Sequence, residues 1–571
     1  MPARALRDPR VLGPALTAVI SIVGAALALR AWQWRPGIPL GLTQDTPFVL
    51  MQIKEVVQHG WYGANPDLGW PGGQDGWLFP ELNIVHVLAI KVLSVFSSEP
   101  STLLAVYFFL GFPLAGLAMY WLARTQDLST SAAVMAGSLF ALSPGHQDRF
   151  PHLWLASYWT VPFGVWLALE IYRGTIGERV RSPAGLLGVG AAILVTGLSG
   201  VYYVAFVLIV IGTAALARMV NHGWRSGLPG LGVTLGVVLT FAVPLGVALW
   251  RTRSIELTGP RPGIRPLSHT EMFSGKLIDL LLPWRHHRIS ELHQLTSSYN
   301  SALNARTFES VALGLVAAFG LVILMAAVFV AVLSRTSRVP TDLRLWAVLA
   351  LACFAFYTVG GLNSLFSVVL TTQIRTWSRI FLLIMLFGLL AVGYGLTRLG
   401  RRHGPRVAGA LATLLIVGGV IDQTNPDRAP NYAANADLAG QFRDYASDIV
   451  AATDEGCAVF QLPVINFPES GLVHELWPYD QVRTYAVADG LTWSAGAIRS
   501  TTAQNQISEL AQTPVPELFE RLRDVGYCAL EVSEAAYADE DEETRSPTAE
   551  LREHLGPPIA TVEGTLTAFA L

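Results

Sequence analysis

LTQDTPFVLMQIKEVVQHGWYGANPDLGWPGGQDGWLFPELN, residues 42–83, separates two apolar runs and belongs to neither. Before it lies an apolar run from Val11 to Ala31, headed by Arg4, Arg7 and Arg10. After it comes 102–123, which holds no Asp, Glu, Lys or Arg. The first run is too long for a signal peptide and no small-residue cleavage site follows it, so it reads as an uncleaved first span. The segment between the two spans, about Trp32 to Ser101, is far longer than a connection requires, and long loops in compact proteins usually carry function. Its Gly-, Pro- and Trp-rich part, Gly60 to Pro80, is a shaped irregular loop rather than a flexible linker.

The rest of the chain has the same character. Of its 571 residues, 52% are hydrophobic and only 14% charged, against about a quarter charged in a soluble protein. Further charge-free runs at 201–217, 228–250, 345–362 and 380–397 complete a membrane class. A net charge of −3 gives no support to a nucleic-acid partner. Positive charge is almost all arginine, Lys54, Lys91 and Lys276 being the exceptions.

Arg-rich connections fall at Arg124, Arg173–Arg181, Arg218–Arg225, Arg335–Arg344 and Arg398–Arg406, and the positive-inside rule places all five in the cytoplasm. The outward connections are then 32–101, 144–152, the break at Ser199 and Gly200, the long loop 251–307, 363–378 and everything after 422. This parity predicts an α-helical polytopic bundle of about eleven transmembrane helices with its N-terminus inside. It holds only if Pro80–Ser97, which carries Glu81, His86 and Lys91, lies along the outer interface instead of crossing. Three runs, 131–143, 184–198 and 407–421, are short for spans and call for tilt or local thinning.

From about Asn431 the composition turns soluble, dividing the chain into a membrane part, 1–430, and an extracytoplasmic C-terminal α/β domain, 431–571. Helices are predicted over Asn435–Thr453 and Pro516–Val525 and strands over Cys457–Val464 and Tyr527–Val532. A terminal hairpin, Ile559–Leu571, turns at Glu563 and Gly564. Cys457 and Cys528 open the two strands; a disulfide suits an oxidising compartment, and two buried thiols are the alternative. The acidic run Asp539–Glu543 reads as a solvated loop, with calcium a minor alternative.

Three clusters could carry chemistry. Asp45 follows the first span at the membrane surface, where an isolated acid is a cost that function would explain. Near it in sequence, Trp61, Tyr62, Trp70 and Trp77 suit interfacial anchoring or stacking on sugar rings. SPGHQDRFPH, residues 143–152, crowds His146, Asp148, Arg149 and His152 into one outward loop. Such a set can hold a divalent cation, grip a phosphate or act as acid and base, with a snorkelling arginine as the plain alternative. QIRTWSR, residues 373–379, places Arg375 and Arg379 four apart, on one face of a helix, where they suit a phosphate or lipid head groups. Glu309 opens the run 308–333, as a substrate-binding group or a helix N-terminal charge. The basic, His-rich stretch containing Asp279, Arg285, His286, His287, Arg288 and His293 is a weaker acceptor-binding or lid candidate. No Walker motif, Rossmann glycine pattern or recognisable Ser/His/Asp spacing is present, which takes support from ATP-driven transport and soluble cofactor chemistry.

With these residues, the plan resembles the GT-C superfamily of membrane glycosyltransferases: a first span, a long outer loop with an early acid, juxtamembrane helices and a many-span bundle. Within it the chain looks most like YfhO-type bacterial membrane proteins, on NPDLGWPGGQ (65–74), GHQDRFPHLWLASYWTVP (145–162), DLLLPW (279–284), FESVALG (308–314) and QIRTWSRIFLL (373–383). In the tail, CAVFQLPVINFPE (457–469), GLTWSAGAIRS (490–500) and LRDVGYCALEVS (522–533) carry it.

The resemblance implies transfer of a sugar from a polyprenyl-phosphate donor to a cell-envelope glycan, lipid or protein on the outer face of the plasma membrane. Asp45, His146 and Asp148 would form the catalytic set. Arg149, Arg375 and Arg379 would take the donor phosphate, and Trp61, Tyr62, Trp77, His152 and Glu309 would line the substrate. Many superfamily members carry two adjacent acids in this loop, whereas Asp45 stands between Gln44 and Thr46. A metal-independent inverting mechanism is therefore expected ahead of one using a divalent cation. A flippase for a lipid-linked saccharide and a non-catalytic assembly scaffold are the rival readings; charge-free spans and the lack of an internal repeat speak against the first.

Overall fold

The computed structural model describes residues 9–302, 309, 311–334, 339–538 and 545–571. Arg4, Arg7 and the acidic run Asp539–Glu543 lie outside the described residues. Every run read as a span is helical: Pro9–Ala28, Pro100–Thr125, Thr130–Ala141, Val161–Arg173, Pro183–Gly197, Val201–His222, Leu228–Arg251, Leu315–Leu333, Thr341–Tyr357, Phe381–His403 and Pro405–Gln423. Seven helices among the described residues are long and apolar enough to cross a bilayer, and the chain is a multi-pass membrane protein.

The short runs have separate explanations. Thr130–Ala141 has 12 residues, about 18 Å against a hydrocarbon core of about 30 Å. Its residues Ala132 to Ala141 are all buried, so protein rather than lipid surrounds it. The expected 407–421 grows to 19 residues, Pro405–Gln423. The helix Ile84–Leu93 has ten, about 15 Å, too few to cross. Its inner side docks through the His86 ring on the Tyr107 hydroxyl at 2.7 Å, while Val92, Val95 and Phe96 stand exposed, a pattern suited to the membrane interface.

Glu309 does not open a span. The helix begins only at Leu315, and its first N–H donates to the Asp422 carboxylate at 2.7 Å. The N-terminal partner of that helix thus comes from the end of Pro405–Gln423, which frees Glu309 for other contacts.

The first outer loop supplies a buried wedge. Along Thr46–Gln58 nearly every side chain is enclosed, and Lys54 donates to the carbonyls of Tyr485 and Ala488 and pairs with Asp489 at 2.7 Å. A short antiparallel pair follows, β1 (Ala64–Asn65) and β2 (Gln74–Asp75).

The C-terminal region is built on the helix Tyr432–Ala452 and a five-stranded sheet of β3 (Ala458–Leu462), β4 (Thr492–Trp493), β5 (Tyr527–Ser533), β6 (Ala560–Val562) and β7 (Leu566–Ala570), in the order β4-β3-β5-β7-β6. The first three pair in parallel and the last three antiparallel. Side chains alternate as strand geometry requires. Val459, Ala529 and Ala568 pack towards Phe442 and the first loop, whereas Phe460, Leu530 and Phe569 pack under Ile507, Leu518 and Leu551. Cys457 and Cys528 are joined with their Cα atoms 5.7 Å apart, inside the usual range; Cys353 is free and buried.

The open edge of β4 is covered by the first loop. Trp493 N–H donates to Asp67 O at 2.9 Å, Trp70 N–H to Trp493 O at 3.0 Å and Gly69 N–H to Ala495 O at 2.9 Å. The approach requires glycine on both sides. Gly69 and Gly496 have φ of +71° and +92°, and a Cβ on either would sit 3.0 Å from the opposite segment. One apolar core consequently runs from Leu29, Leu50 and Phe108 of the membrane part through to Tyr445 and Trp493.

Candidate functional site

Asp45 sits at the N-cap of Thr46–Gln58, a position where a carboxylate usually accepts from its own helix. It makes no such bond. Its Oδ2 instead meets His152 Nδ1 at 2.9 Å, with the side chains 43% and 35% exposed. Burial by itself would raise the carboxyl's pKa; the hydrogen bond and charge of His152, then the charges of Arg379 and Arg375, more than offset this and leave it below the ordinary aspartate value. The group is an ionised carboxylate open to solvent beside cations.

Behind it is a charge pair turned triad. Glu309 receives both Nε and a terminal N–H of Arg379, the first at 2.8 Å, and Arg149 at 3.2 Å on its other oxygen. Desolvation opposes ionisation of Glu309, but Arg379 and Arg149 outweigh it and bring the carboxyl to about 2. Arg149 also donates to Gly145 O at 3.2 Å, and a Cβ on Gly145 would collide with that guanidinium. Arg379 lies over the Tyr202 ring at 4.7 Å.

Arg375 differs from its neighbours. It stands in irregular chain before the short turn Trp377–Ile380, so it and Arg379 do not share a helix face as the spacing predicts. Its guanidinium lies 5.3 Å from the Phe273 ring and makes no ion pair among the described residues. Its side chain is partly exposed and can meet an incoming anion.

The other members of the 143–152 cluster go elsewhere. His146 is fully buried, stacked 3.7 Å from Phe112, with Nδ1 3.2 Å from Ala141 O. Burial lowers its pKa to about 3, and its enclosed ring reaches no substrate, so it is a packing residue, contrary to the catalytic role expected from its place in the loop. Asp148 accepts from Trp284 Nε1 at 3.0 Å, and burial, its largest influence, raises its pKa. Trp61 and Trp77 pack against Tyr62 with tilted rings, centroids 5.4 and 5.1 Å away, and Arg251 covers Trp77 at 4.8 Å. The His-rich stretch is a clasp. His287 faces Asp422 at 3.4 Å and Arg288 donates to Thr424 O at 2.8 Å.

Three contributors were not assigned a role from sequence. Arg265, from the long loop, forms a two-pronged ion pair with Glu469 of the C-terminal region. Tyr479 stacks on Phe48, one turn along from Asp45, at 4.7 Å, and its phenol lies within the field of Asp45, Glu469 and Arg375. Glu469 ends the tail stretch CAVFQLPVINFPE, but nothing local marks it as part of a site more than 400 residues from Asp45.

Among the described residues no three His, Cys, Asp or Glu side chains gather to hold a metal. Asp45 with one imidazole, flanked by arginines, suits an anion and a proton instead.

No protein-family model and no curated protein matches the sequence. Solved structures do. ArnT from Cupriavidus metallidurans in the apo state aligns with a TM-score of 0.51 at 13% identity, covering 98% of this chain and 97% of that one. Its complex with undecaprenyl phosphate aligns with a TM-score of 0.51 at 12% identity over the same shares, 98% and 97%. The arabinofuranosyltransferase AftD from Mycobacteria aligns over 93% of this chain with a TM-score of 0.48 at 16% identity, and the present chain spans 36% of its length. The fold is therefore the GT-C fold, as the early acid and loop plan led one to expect.

Proposed function

We propose that this protein is a glycosyltransferase that moves a sugar from a polyprenyl-phosphate donor to a hydroxyl of a cell-envelope acceptor on the outer face of the membrane. The observation that carries the reading is the juxtaposition of an ionised, solvent-facing Asp45 with Arg375, whose charge acts on it and which makes no ion pair among the described residues. Undecaprenyl phosphate bound to ArnT, which shares the fold, supports a lipid phosphate as the donor's leaving group, and the Cys457–Cys528 bridge supports an oxidising compartment for the C-terminal region.

In this reading the acceptor hydroxyl attacks the anomeric carbon as Asp45 takes its proton. The new carbon–oxygen bond forms while the bond from that carbon to the phosphate oxygen breaks, and the electron pair leaves with the phosphate. His152 holds Asp45 oriented and ionised. Arg375 meets the charge growing on the leaving phosphate, and Arg149 and Arg379, held by Glu309, add fixed positive potential behind it. Attack opposite the leaving group inverts the anomeric centre.

Titration with undecaprenyl phosphate tests the donor half. Saturable binding by the wild type, retained in Asp45→Asn and weakened at least about tenfold in Arg375→Gln, a loss typical of one charge-assisted contact, is expected. A wild type that binds none would contradict the reading.

A further inference from the structure

The helix Leu362–Val369 is arranged the wrong way round for water. Its polar side chains Asn363 and Ser367 are buried, whereas Leu362, Leu365, Val368, Val369 and the following Leu370 are 46–70% exposed. Positions 362, 365 and 368–369 recur at helical spacing, so the apolar residues form one stripe, and 363 and 367, four apart, lie on another side. A contiguous apolar stripe of this kind marks a surface that meets something other than water.

The buried polar groups bond to the short helix Ser268–Met272 of the long loop. Thr270 Oγ1 donates to Ser367 Oγ at 2.9 Å, Asn363 donates to Ser274 Oγ, and Glu271 accepts from Gly360 N–H at 3.0 Å and from the Ser364 hydroxyl. Leu267 and Met272, at the two ends of this partner, are exposed as well. The pair therefore hides its polar side chains in mutual hydrogen bonds and turns its apolar ones outward.

The bundle fixes its height. Gly275 donates to Tyr357 O at 2.9 Å and accepts from Val359 N–H at 3.1 Å, and a Cβ there would collide with the Tyr357 ring. Residues 274–276 are thus pinned to the end of Thr341–Tyr357, a helix that itself exposes Val348 and Leu351. Only residues 358–361 separate that helix from Leu362, so the pair stays at the membrane surface. Leu362–Val369 has eight residues, about 12 Å, too few to cross a hydrocarbon core of about 30 Å.

We propose that Ser268–Met272 and Leu362–Val369 together insert into the leaflet on the Asp45 side of the membrane, the outer one in the proposed function, with lipid acyl chains covering the apolar stripe. Lipid rewards apolar exposure and demands that polar groups be satisfied within the protein, which is the pattern of this pair. Arg375 follows Leu370 by five residues. Its guanidinium lies 5.3 Å from the ring of Phe273, next after the partner helix, and Ser378 N–H donates to Phe273 O at 3.1 Å. The inserted pair consequently carries Arg375 at head-group level, where, on the proposed function, the phosphate of a lipid-linked donor arrives.

Nitroxide labels on Leu365→Cys and Val368→Cys, in a Cys353→Ala chain in nanodiscs, measure the insertion without any substrate; Cys457 and Cys528 are bridged and take no label. Both labels should collide more with oxygen, which partitions into acyl chains, than with a water-soluble nickel chelate. A label on Glu520→Cys, exposed on the helix Val515–Val525, should do the reverse. One on Gln373→Cys, exposed beside Arg375, should fall between them. Labels at Leu365 and Val368 as open to nickel as the one at Glu520 would overturn the insertion, and labels shielded from both reagents would show protein over the stripe and overturn it equally. A label at Gln373 as open to nickel as the one at Glu520 would overturn the placement of Arg375. Undecaprenyl phosphate binding is a separate measurement, so its failure would leave these depths unchanged. Thermal midpoints matching the unlabelled chain verify that each variant is folded.

Discussion

The carboxylate of Asp45 begins a helix without capping it, and the bond it gives up goes to His152. A cap is worth about 1 kcal/mol, so the orientation of this carboxylate has been bought at the helix's expense. His152→Asn, which retains a donor, should keep the protein folded but lower kcat more than it raises the donor KM, because it disturbs the base and not the phosphate contact. Glu309 has a different function. Glu309→Gln leaves two largely buried arginines without a counter-charge, and removing one partner of such a set costs about 3–5 kcal/mol; a fall in thermal midpoint with loss of activity is expected, and an unchanged midpoint would show that water already compensates the arginines.

Glu55 gives the pH dependence. Burial pushes its carboxyl from 4.5 up to about 7, although the Gly63 N–H at 2.7 Å lowers it in part. The folded state therefore holds a proton that the unfolded chain has lost. The sign is that stability is greatest below about 4.5, falls as pH rises towards about 7 and is level above it, a loss of at most about 3 kcal/mol from one such group. Glu531, also raised to about 7 by burial, titrates in the same window. Glu55→Gln should raise the thermal midpoint at pH 8 and flatten its decline between pH 5 and 7; an unaltered slope would place the proton elsewhere.

At the scale of elements, the spans were legible because apolar length and arginine placement are local properties of the chain. The strands at Ala458–Leu462 and Tyr527–Ser533 and the closing hairpin were legible from alternation and turn residues. Two features were not. Glu309 looked like a helix start because it precedes an apolar run, and only the Asp422 carboxylate, over a hundred residues away, shows where that helix begins. Arg375 and Arg379 looked like one helical face, but the chain at Arg375 is not helical, and tertiary pairing to Glu309 decides which of the two is occupied. The disulfide links β5 to the residue opening β3, closing a loop of 71 residues. Cys457→Ala with Cys528→Ala should cost about 2–4 kcal/mol, read as earlier unfolding of the C-terminal region in proteolysis; no change in its protection would mean that the bridge is dispensable.

The whole molecule differs most from a reading by segments. Composition divides the chain near residue 430, yet the core is continuous across that point: first-loop residues 67–70 extend the sheet at β4, Lys54 is tied to Tyr485 and Ala488, and Tyr479 stacks on Phe48 beside Asp45. Contacts between segments hundreds of residues apart leave no periodic trace in sequence, so Arg265, Glu469 and Tyr479 could be found only in the assembled fold. The C-terminal region is in this account a wall of the site, and the central claim concerns what that site does. Transfer of radiolabelled sugar from polyprenyl-phosphate donors into envelope acceptors, by membranes holding equal amounts of folded wild type and Asp45→Asn, tests it most directly. The account predicts transfer by the wild type and a loss of about 10²–10⁴-fold in the variant, the range for removing a general base; full transfer by Asp45→Asn, or none by the wild type with any donor tried, would contradict it.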